Sequence, residues 1–362
     1  MGDDAITDRP LDDDDDDSEP KRPTMHDVAA RAGVALSTVS RALGDHPDVS
    51  AAMRRRVRRA AAELGYEPNF LAQSLRRGTT NTVGFVIRDI SNPFFAAIAN
   101  GAESELRQHG FVMLLVNSNG DPDLEATHID VLRRRRVDGL IANLVSEDHP
   151  ATLKAIRQLA PPLVLIDRDL PGIAASALLC DHYTGVREAV EDLLDRGHER
   201  IALVTGHRHV RPVRERVRGL TDAMAARRIP VDERLVVLGS FTSEFARQHV
   251  LELLDGPDAP TAFLTGGLQV TLGCLLAFAE RDLRPGLDIG LVALDEIEML
   301  DVFRPTISVV ARYPQQMGAQ AAQLFLERHA GGPTRTVVLP TRYRAGSSSA
   351  LPVHAVAPAA HR

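Results

Sequence analysis

Residues 25–43 read MHDVAARAGVALSTVSRAL, two short helical patterns separated by one glycine. Thr24 followed three residues later by Asp27 is the pattern of a helix capping box. On the helix that begins there, one face carries the small apolar residues Val28, Ala29 and Ala32, and Gly33 ends it. A second helix is predicted over Leu36–Leu43. Its inward face carries Val39, Ala42 and Leu43, and its outward face carries Ser37, Thr38 and Arg41. This layout predicts a helix-turn-helix.

A third helix follows the loop after Leu43. Ser50 is its predicted N-cap, and Gly65 stops it after Leu64. Its inner face consists of Val57, Ala60, Ala61 and Leu64. Together, the helices make a minimal all-α core.

The net charge of −7 is unevenly distributed along the chain. Residues 1–24 carry ten acidic and three basic residues, which accounts for the whole excess. Residues 25–80 carry nine arginines and five acids. We therefore expect a disordered acidic tail over residues 1–23, more simply explained as solubilising than as regulatory, followed by a basic module.

The second helix has the residues that reading a DNA sequence requires. Ser37 and Arg41 are four apart, so both project from one face of a helix slim enough to enter the major groove. Arginine can donate two hydrogen bonds to a guanine edge. A small helical hairpin with solvated arginines would show the same local pattern, and that alternative stays open at this point.

The segment EPNFLAQSLRRGTT, residues 67–80, predicts a short helix from Phe70 to Arg77. Arg76 and Arg77 suit phosphates, and Leu75 beside them has no apolar face to join on so short a helix. A helix of this length is marginal in isolation.

Residues 24–80 resemble the headpiece of the LacI family of bacterial transcription regulators, through DVAARAGV, STVSRAL, ELGYEPN and AQSL. The resemblance implies that the second helix reads the major groove and that hinge helices of two subunits pair on DNA. It implies base reading by Leu36, Ser37 and Arg41, phosphate contacts or caps from Thr38 and Asn69, a minor-groove approach at Ala72, and a minor-groove wedge at Leu75. Two departures are Ala35, where a capping serine is usual, and Met53, where threonine or glutamate is common.

From Val83 onward, short apolar runs alternate with helical patterns, which predicts parallel sheets covered by helices on both faces. The runs are too numerous for one sheet, so we expect two doubly wound α/β lobes with a ligand cleft between them. The expected organisation is an acidic tail over 1–23, a helix-turn-helix headpiece over 24–66, a hinge over 67–80, a two-lobed effector and dimerisation domain over 81–346 and a C-terminal tail over 347–362. The candidate strands are 83–87, 112–117, 139–143, 163–167, 178–181, 201–205, 236–238, 262–265, 289–294 and 307–310.

This large region resembles the family's effector domain, which has the fold of periplasmic sugar-binding proteins. The resemblance is carried by RDISNPFFAAIANGAE, RRVDGLI, PLVLIDRDLPG, LLDRGHERIALVTG and VALDEIEMLDVFRPTISVV. It implies that the chain crosses between lobes near Asp181, Val310 and Pro340.

Candidate effector contacts follow the predicted strands. The amide of Asn92 can bind hydroxyls, and the rings of Phe94 and Phe95 can cover an apolar ligand face, with one of the two expected in the core. Arg216 and Asp295 are predicted to grip a polyol from opposite sides of the cleft, or alternatively to form a structural pair between the lobes.

Phe241 is a predicted wall of the same cleft. Gly267 and Leu268 stand where the family commonly has an asparagine-aspartate pair, and His182 stands where asparagine is usual. We expect a sugar or related polar metabolite as effector, although the loss of the polar pair leaves its identity open.

Other functional classes have weak support. The pair His207 and His209 has no further ligand at metal-binding spacing, and no phosphate-binding glycine loop or catalytic constellation is present, so neither metal nor cofactor nor enzymatic activity is expected. Two cysteines, Cys180 and Cys274, cannot form a disulfide framework or a zinc cluster, and we expect them to fill the core.

A competing interpretation is an exported solute-binding protein. The N-terminus lacks a signal-peptide pattern, no apolar run approaches the roughly 18 residues that span a bilayer, and the headpiece favours a cytoplasmic regulator. The expected partners are palindromic operator DNA and a second copy of the chain, as a homodimer or a dimer of dimers, with no membrane.

Overall fold

The computed structural model describes residues 23–44, 46–67, 79–159, 162–295, 302 and 304–350. The chain divides between Thr80 and Asn81 into two compact units. Each unit has its own hydrophobic core.

The described residues of the first unit form three helices, α1 (Met25–Ala32), α2 (Leu36–Leu43) and α3 (Ala51–Leu64). The Asp27 carboxylate accepts hydrogen bonds from the Thr24 backbone N–H (2.8 Å) and hydroxyl (2.7 Å) at the start of α1. Gly33 and Gly65 end α1 and α3 in the left-handed conformation, at φ 61° and 65°. The core of this unit is closed by Val28, Val39, Ala42 and Val57, all without exposed surface. The predicted helix-turn-helix and third helix are confirmed.

The first lobe of the second unit contains, in its described part, a six-stranded sheet in the order β11-β5-β4-β3-β1-β2. All of its pairings are parallel. The strands are β1 (Thr82–Ile87), β2 (Val112–Asn117), β3 (Gly139–Ala142), β4 (Leu163–Ile166), β5 (Ser176–Cys180) and β11 (Thr336–Leu339). The helices of this lobe are α4 (Pro93–Gln108), α5 (Pro122–Arg134), α6 (Pro150–Arg157) and α11 (Pro314–His329).

The second lobe likewise has, within its described residues, a six-stranded sheet in the order β12-β10-β9-β8-β6-β7. Here only the edge strand β12 is antiparallel, to β10. The strands are β6 (Ile201–Gly206), β7 (Val236–Gly239), β8 (Ala262–Thr265), β9 (Gly290–Ala293), β10 (Ser308–Ala311) and β12 (Arg342–Arg344). The helices are α7 (His182–Asp195), α8 (Arg211–Ala226), α9 (Ser243–Leu254) and α10 (Leu268–Glu280).

Both sheets are buried on both faces, which explains why their strands are almost continuously apolar. In the first lobe, one face packs on α4 and α11 around Phe85 and Phe325, and the other packs on α5 and α6 around Leu132 and Leu140. In the second lobe, Phe263 and Phe278 mark one face and Leu203 and Leu264 the other. The predicted pair of doubly wound lobes is confirmed.

The chain passes between the lobes at the places expected. It leaves the first sheet after β5 and enters α7 at His182, returns between β10 and α11 at Arg312 and Tyr313, and crosses again between β11 and β12 at Pro340 and Thr341. The three crossings form a hinge. Any change in the angle between the lobes requires a change of backbone conformation in these short connections.

The effector unit extends beyond residue 346, where the sequence predicted a C-terminal tail to begin. Ser348 and Ser349 are fully buried in a short 3-10 turn. Ser348 accepts a hydrogen bond from the Ser308 backbone (2.8 Å) and donates one to the Leu291 carbonyl (2.6 Å). Ser348 thus pairs backbone polar groups of two strands of the second sheet, so this part of the predicted tail belongs to the second lobe.

Candidate functional site

The outer face of α2 is the candidate nucleic-acid interface. Leu36, Ser37 and Arg41 are exposed, Thr38 is half-buried, and the opposite side of the helix packs on the core through Val39 and Ala42. Leu36 is 38% exposed, so its side chain is accessible on this face. Leu36, Ser37 and Arg41 therefore share one accessible helix face, whereas Thr38, also predicted to point outward, is only partly exposed.

A shallow groove along this face also includes residues that the sequence argument missed. It is lined by Met25, Leu36, Ser37, Ser40, Arg41, Gly44 and His46. Arg54 of α3 holds the loop beside it by donating to the carbonyls of His46 (3.0 Å) and Val49 (3.3 Å). Ser40 could have been found from its position three residues after Ser37, whereas the loop position of His46 follows only from the fold.

The start of α2 has the weak point expected from Ala35. Its backbone is extended (φ −67°, ψ 150°) as an N-cap should be, but it provides no side-chain cap. By contrast, Ser50 caps α3 by accepting from the Met53 N–H at 3.3 Å. The predicted hinge residues Asn69, Ala72 and Leu75 lie outside the described residues.

The second candidate site is the cleft between the two lobes of the effector unit. A cavity lies there, lined by side chains of both lobes. The predicted effector residues all line it: Asn92, Phe94, Phe95, Arg216, Phe241 and Asp295. It is also lined by polar residues that the sequence argument did not select, among them Arg88, Asp89, Asn143, Asp167, Arg168, Gln269 and Arg312.

The start of α4 positions the first group of these residues. The Asn92 side chain caps the helix by accepting a hydrogen bond from the Phe94 N–H at 3.0 Å. Phe94 is buried and its ring meets that of Phe95 edge-to-face at 5.6 Å, while Phe95 is half-buried. Phe94 is thus the core member of the pair, and it also forms the floor of the cleft.

Arg312, at the second crossing, organises the base of the cleft. Its guanidinium donates from Nε to Asp295 (2.8 Å) and from Nη1 to Asp167 (2.9 Å), and it stacks on the Phe94 ring at 4.0 Å. Asp167 follows a strand of the first lobe and Asp295 follows a strand of the second. A single buried arginine therefore joins the two lobes through one carboxylate from each.

The prediction that Arg216 and Asp295 face each other across the cleft is wrong. Both belong to the second lobe, and the described partner of Asp295 is Arg312. Arg216 instead donates through Nη1 to the Thr205 hydroxyl (3.1 Å) and the Gly266 carbonyl (2.9 Å). The error arose because strand ends locate residues at one edge of a sheet but do not show which lobe closes over them.

Charges at the hinge are strongly coupled. Burial opposes ionisation of Asp167, but His182 and Arg312 outweigh it and hold the pKa of Asp167 well below its usual range. Burial lowers the pKa of His182 to about 4, so this imidazole is neutral near pH 7. Burial alone would lower the pKa of Arg312, but Asp295 and Asp167 raise it.

Asp167, Cys180 and His182 bring potential metal-ligating atoms within 4.8 Å of one another. Arg312 Nη1 already donates to Asp167 Oδ2, and His182 Nε2 lies 3.2 Å from the same oxygen. A cation would have to displace a guanidinium, so these residues are better explained as a hinge ion pair than as a metal centre.

Gly267 and Leu268, which stand where the family commonly has a polar pair, both line the cavity. Gly267 has φ 136°, a backbone conformation that favours glycine, and Leu268 is buried. The neighbouring Gln269 is half-buried and lines the cavity. The amide of Gln269 is therefore the polar group that this segment presents to the cavity, next to two positions without a polar side chain.

Contacts across the mouth of the cleft hold the two lobes together. Glu147, which follows β3, accepts from Arg214 Nη1 (2.8 Å) and from the backbone N–H of Arg211 (3.0 Å), both in α8. Arg88 of the first lobe stacks on the Phe241 ring of the second at 4.3 Å. These contacts join the two lobes directly, in addition to the three crossings of the chain.

Within the described residues, none of the helices combines the length and apolarity needed to cross a bilayer.

Family models match both units. The model of bacterial regulatory proteins of the lacI family matches residues 24–69, and that of periplasmic binding proteins and the sugar binding domain of the LacI family matches residues 80–346.

The HTH-type transcriptional repressor CytR of Escherichia coli (strain K12) is 30% identical over 333 residues, covering 91% of this chain and 97% of that protein. The ribose operon repressor of the same strain is 32% identical over 308 residues, covering 84% of this chain and 92% of that protein.

Solved structures agree. The lac repressor dimer bound to operator and the anti-inducer ONPF has a TM-score of 0.79 at 25% identity, covering 91% of this chain and all of that one. A LacI family regulator from Enterococcus faecium with bound ribose has a TM-score of 0.66 at 26% identity, covering 75% of this chain and 99% of that one. The chain therefore belongs to the LacI family of bacterial regulatory proteins.

Proposed function

We propose that this protein is a sequence-specific DNA-binding repressor in the cytoplasm, whose operator binding responds to a small polar metabolite held between the two lobes. The observation that carries the proposal is the outer face of α2, where Leu36, Ser37 and Arg41 stand exposed on a helix fixed to its own core. A guanidinium, a hydroxyl and an apolar group on one such face supply the hydrogen bonds and methyl contacts that distinguish bases in the major groove.

The effector role is supported by the cleft. Its aromatic rings can cover a sugar or base, and the amides of Asn143 and Gln269 can bind hydroxyl or carbonyl groups. The comparison structure from Enterococcus faecium holds ribose. We infer a sugar or related polar metabolite for this chain as well.

A homodimer is part of the proposal. One headpiece contacts too few bases for useful specificity, and two copies related by a two-fold axis match a palindrome. On α10, Leu272 and Leu276 lie one helical turn apart and are 39% and 44% exposed. Burying this pair against a second copy would remove an exposed apolar strip from water.

The proposal is tested by incubating the full chain with fragmented bacterial DNA, retaining bound fragments and sequencing them. We expect a shared pseudo-palindromic site, bound by the protein more tightly than either of its half-sites alone. Retained fragments without a common sequence would refute specific recognition. Equal affinity for the palindrome and a single half-site would refute the dimer.

A further inference from the structure

Three arginines converge on the effector cleft without a carboxylate partner. Arg88 follows β1, Arg168 follows β4, and Arg216 lies on α8, and all three line the same cavity. In the described part of the chain, none of these guanidiniums is within ion-pair distance of an acidic side chain, in contrast to Arg312, which pairs with two.

The hydrogen bonds of these arginines leave donors unused. Arg168 is 2% exposed and, among the described residues, donates to the carbonyls of Leu144 (2.6 Å) and Asp167 (2.7 Å). Arg216 is equally buried, and its Nε has no hydrogen-bond partner. A buried N–H of a charged group without an acceptor is costly, so an acceptor at this place would stabilise the site.

The acidic side chains around the cavity are directed elsewhere. The Asp89 carboxylate accepts from the Ser91 N–H and hydroxyl, at 2.9 and 2.6 Å. Glu125, buried below the arginines, accepts from the Val145 N–H, and Glu147 faces Arg214. Asp167 and Asp295 are both taken by Arg312.

The arginines also repel one another. Burial and the positive charge of Arg168 lower the pKa of Arg88 to about 10, and Arg216 adds to the effect. Burial and Arg312 likewise lower the pKa of Arg216 to about 10. Positive groups held together in a confined cavity, with free donors, are suited to an anion.

We propose that the effector carries an anionic group, a phosphate or a carboxylate, which binds Arg88, Arg168 and Arg216. This inference rests on the proposed function and makes it more specific, because a neutral sugar would bring no negative charge to three guanidiniums that, among the described residues, have no carboxylate within ion-pair distance. The polar remainder of the molecule lies against Phe95 and the amides of the cleft.

The test is a thermal-shift titration of the full chain with matched probes at constant ionic strength. Inorganic phosphate replaces chloride in one series, and glucose, gluconate and glucose 6-phosphate are compared in another. We expect phosphate to raise the melting temperature, and gluconate or glucose 6-phosphate to bind at least tenfold more tightly than glucose. The stronger of these two identifies the carboxylate or the phosphate as the preferred anion.

Arg88→Gln is the main variant, because Arg88 is less buried than the other two arginines. It should reduce affinity for the anionic probes at least tenfold, and by a larger factor than it reduces any glucose binding, because Arg88 also contacts Phe241 across the cleft. Arg135→Gln, which removes a charge from an exposed position after α5, is the matched control and should retain the anion effect.

The inference is overturned if no anion raises the melting temperature more than chloride does, if glucose binds as well as its charged relatives, or if Arg88→Gln responds like Arg135→Gln. Binding of the captured DNA is measured on the same samples. Specific DNA binding with a failed anion response refutes only the charged effector, whereas loss of specific DNA binding refutes the proposed function.

Discussion

Arg41 projects from the exposed face of α2, beside Ser37 and Leu36. If it donates to a base edge, Arg41→Ala should weaken binding to the cognate site by about 1 to 3 kcal/mol and affect random DNA much less. Fluorescence anisotropy with both DNAs measures the difference. Arg55→Ala, which removes an exposed arginine of α3, is the control. Equal losses on cognate and random DNA for Arg41→Ala would show that Arg41 contacts only phosphate.

Glu125 gives the effector unit a pH dependence. It is fully buried, and burial raises its pKa to about 7. Because the pKa is higher in the folded than in the unfolded protein, the folded state holds an extra proton, and stability falls as pH rises from about 4.5 to about 7. Glu125→Gln should therefore become more stable than wild type as pH rises, by about 1 to 3 kcal/mol above pH 7.

Urea unfolding followed by circular dichroism from pH 4.5 to 8 measures this. His182, whose lowered pKa makes stability rise with pH between about 4 and 6.5, contributes equally to both proteins and cancels in the difference. A wild-type minus variant difference that is constant across this range would contradict the assignment.

At the residue scale, the sequence could place Asn92, Phe95 and Arg216 in one cleft, because each follows a strand whose end faces the same opening. It could not predict that Arg312 joins the two lobes at the base of the cleft. Its partners Asp167 and Asp295 lie 145 and 17 residues away, and they meet only when the crossing segments fold.

Among the elements, α2 offers a stabilising change. Ala35 already has the extended backbone of an N-cap but no acceptor side chain. Ala35→Ser should let a hydroxyl accept from the first turn and stabilise α2 by roughly 0.5 to 2 kcal/mol. Slower amide hydrogen exchange in α2 of the full chain is the expected result. Ala30→Ser, on the exposed face of α1, is the control, and equal exchange rates in wild type and Ala35→Ser would refute the missing cap.

Helices α4 and α11 pack closely at Gly101. A Cβ on Gly101 would overlap the carbonyl oxygen of Gln315, and the backbone cannot move aside without parting the helices. Gly101→Ala should cost at least about 1 to 3 kcal/mol of unfolding free energy, measured by urea denaturation. Gly256→Ala, where the nearest atom is 3.4 Å away, should change stability little. A tolerated Gly101→Ala would mean that the helices are farther apart than the structure shows.

The sequence predicted the central strands well and missed β11 and β12. The central strands are apolar on both faces, whereas β11 alternates exposed and half-buried residues at a sheet edge. β12 is only three residues long, with two arginines. Edge strands bury too little apolar surface to show a clear apolar pattern. Pro340 separates β11 from β12, and nothing in the local sequence indicates that the two strands join different sheets.

For the whole molecule, the arrangement suggests how a ligand acts on DNA binding. We infer that the lobes rotate about the three crossings, and that the contacts of Glu147 with Arg214 and of Arg88 with Phe241 oppose their separation. A ligand changes operator affinity only through its different affinity for the open and closed arrangements. That the domain is two-lobed could be predicted from strand alternation, but the contacts that close it join side chains far apart in sequence and depend on the final packing.

The central claim is that cleft binding controls operator binding, and the operator dissociation constant with and without a cleft compound tests it most directly. The probe that raises the melting temperature most is added at saturation to the full chain and its captured operator, with anisotropy as the readout. We predict that the operator Kd rises about 5- to 150-fold, corresponding to about 1 to 3 kcal/mol of coupling, and that Arg216→Gln loses the response. An operator Kd that stays unchanged while the compound is bound would contradict the account.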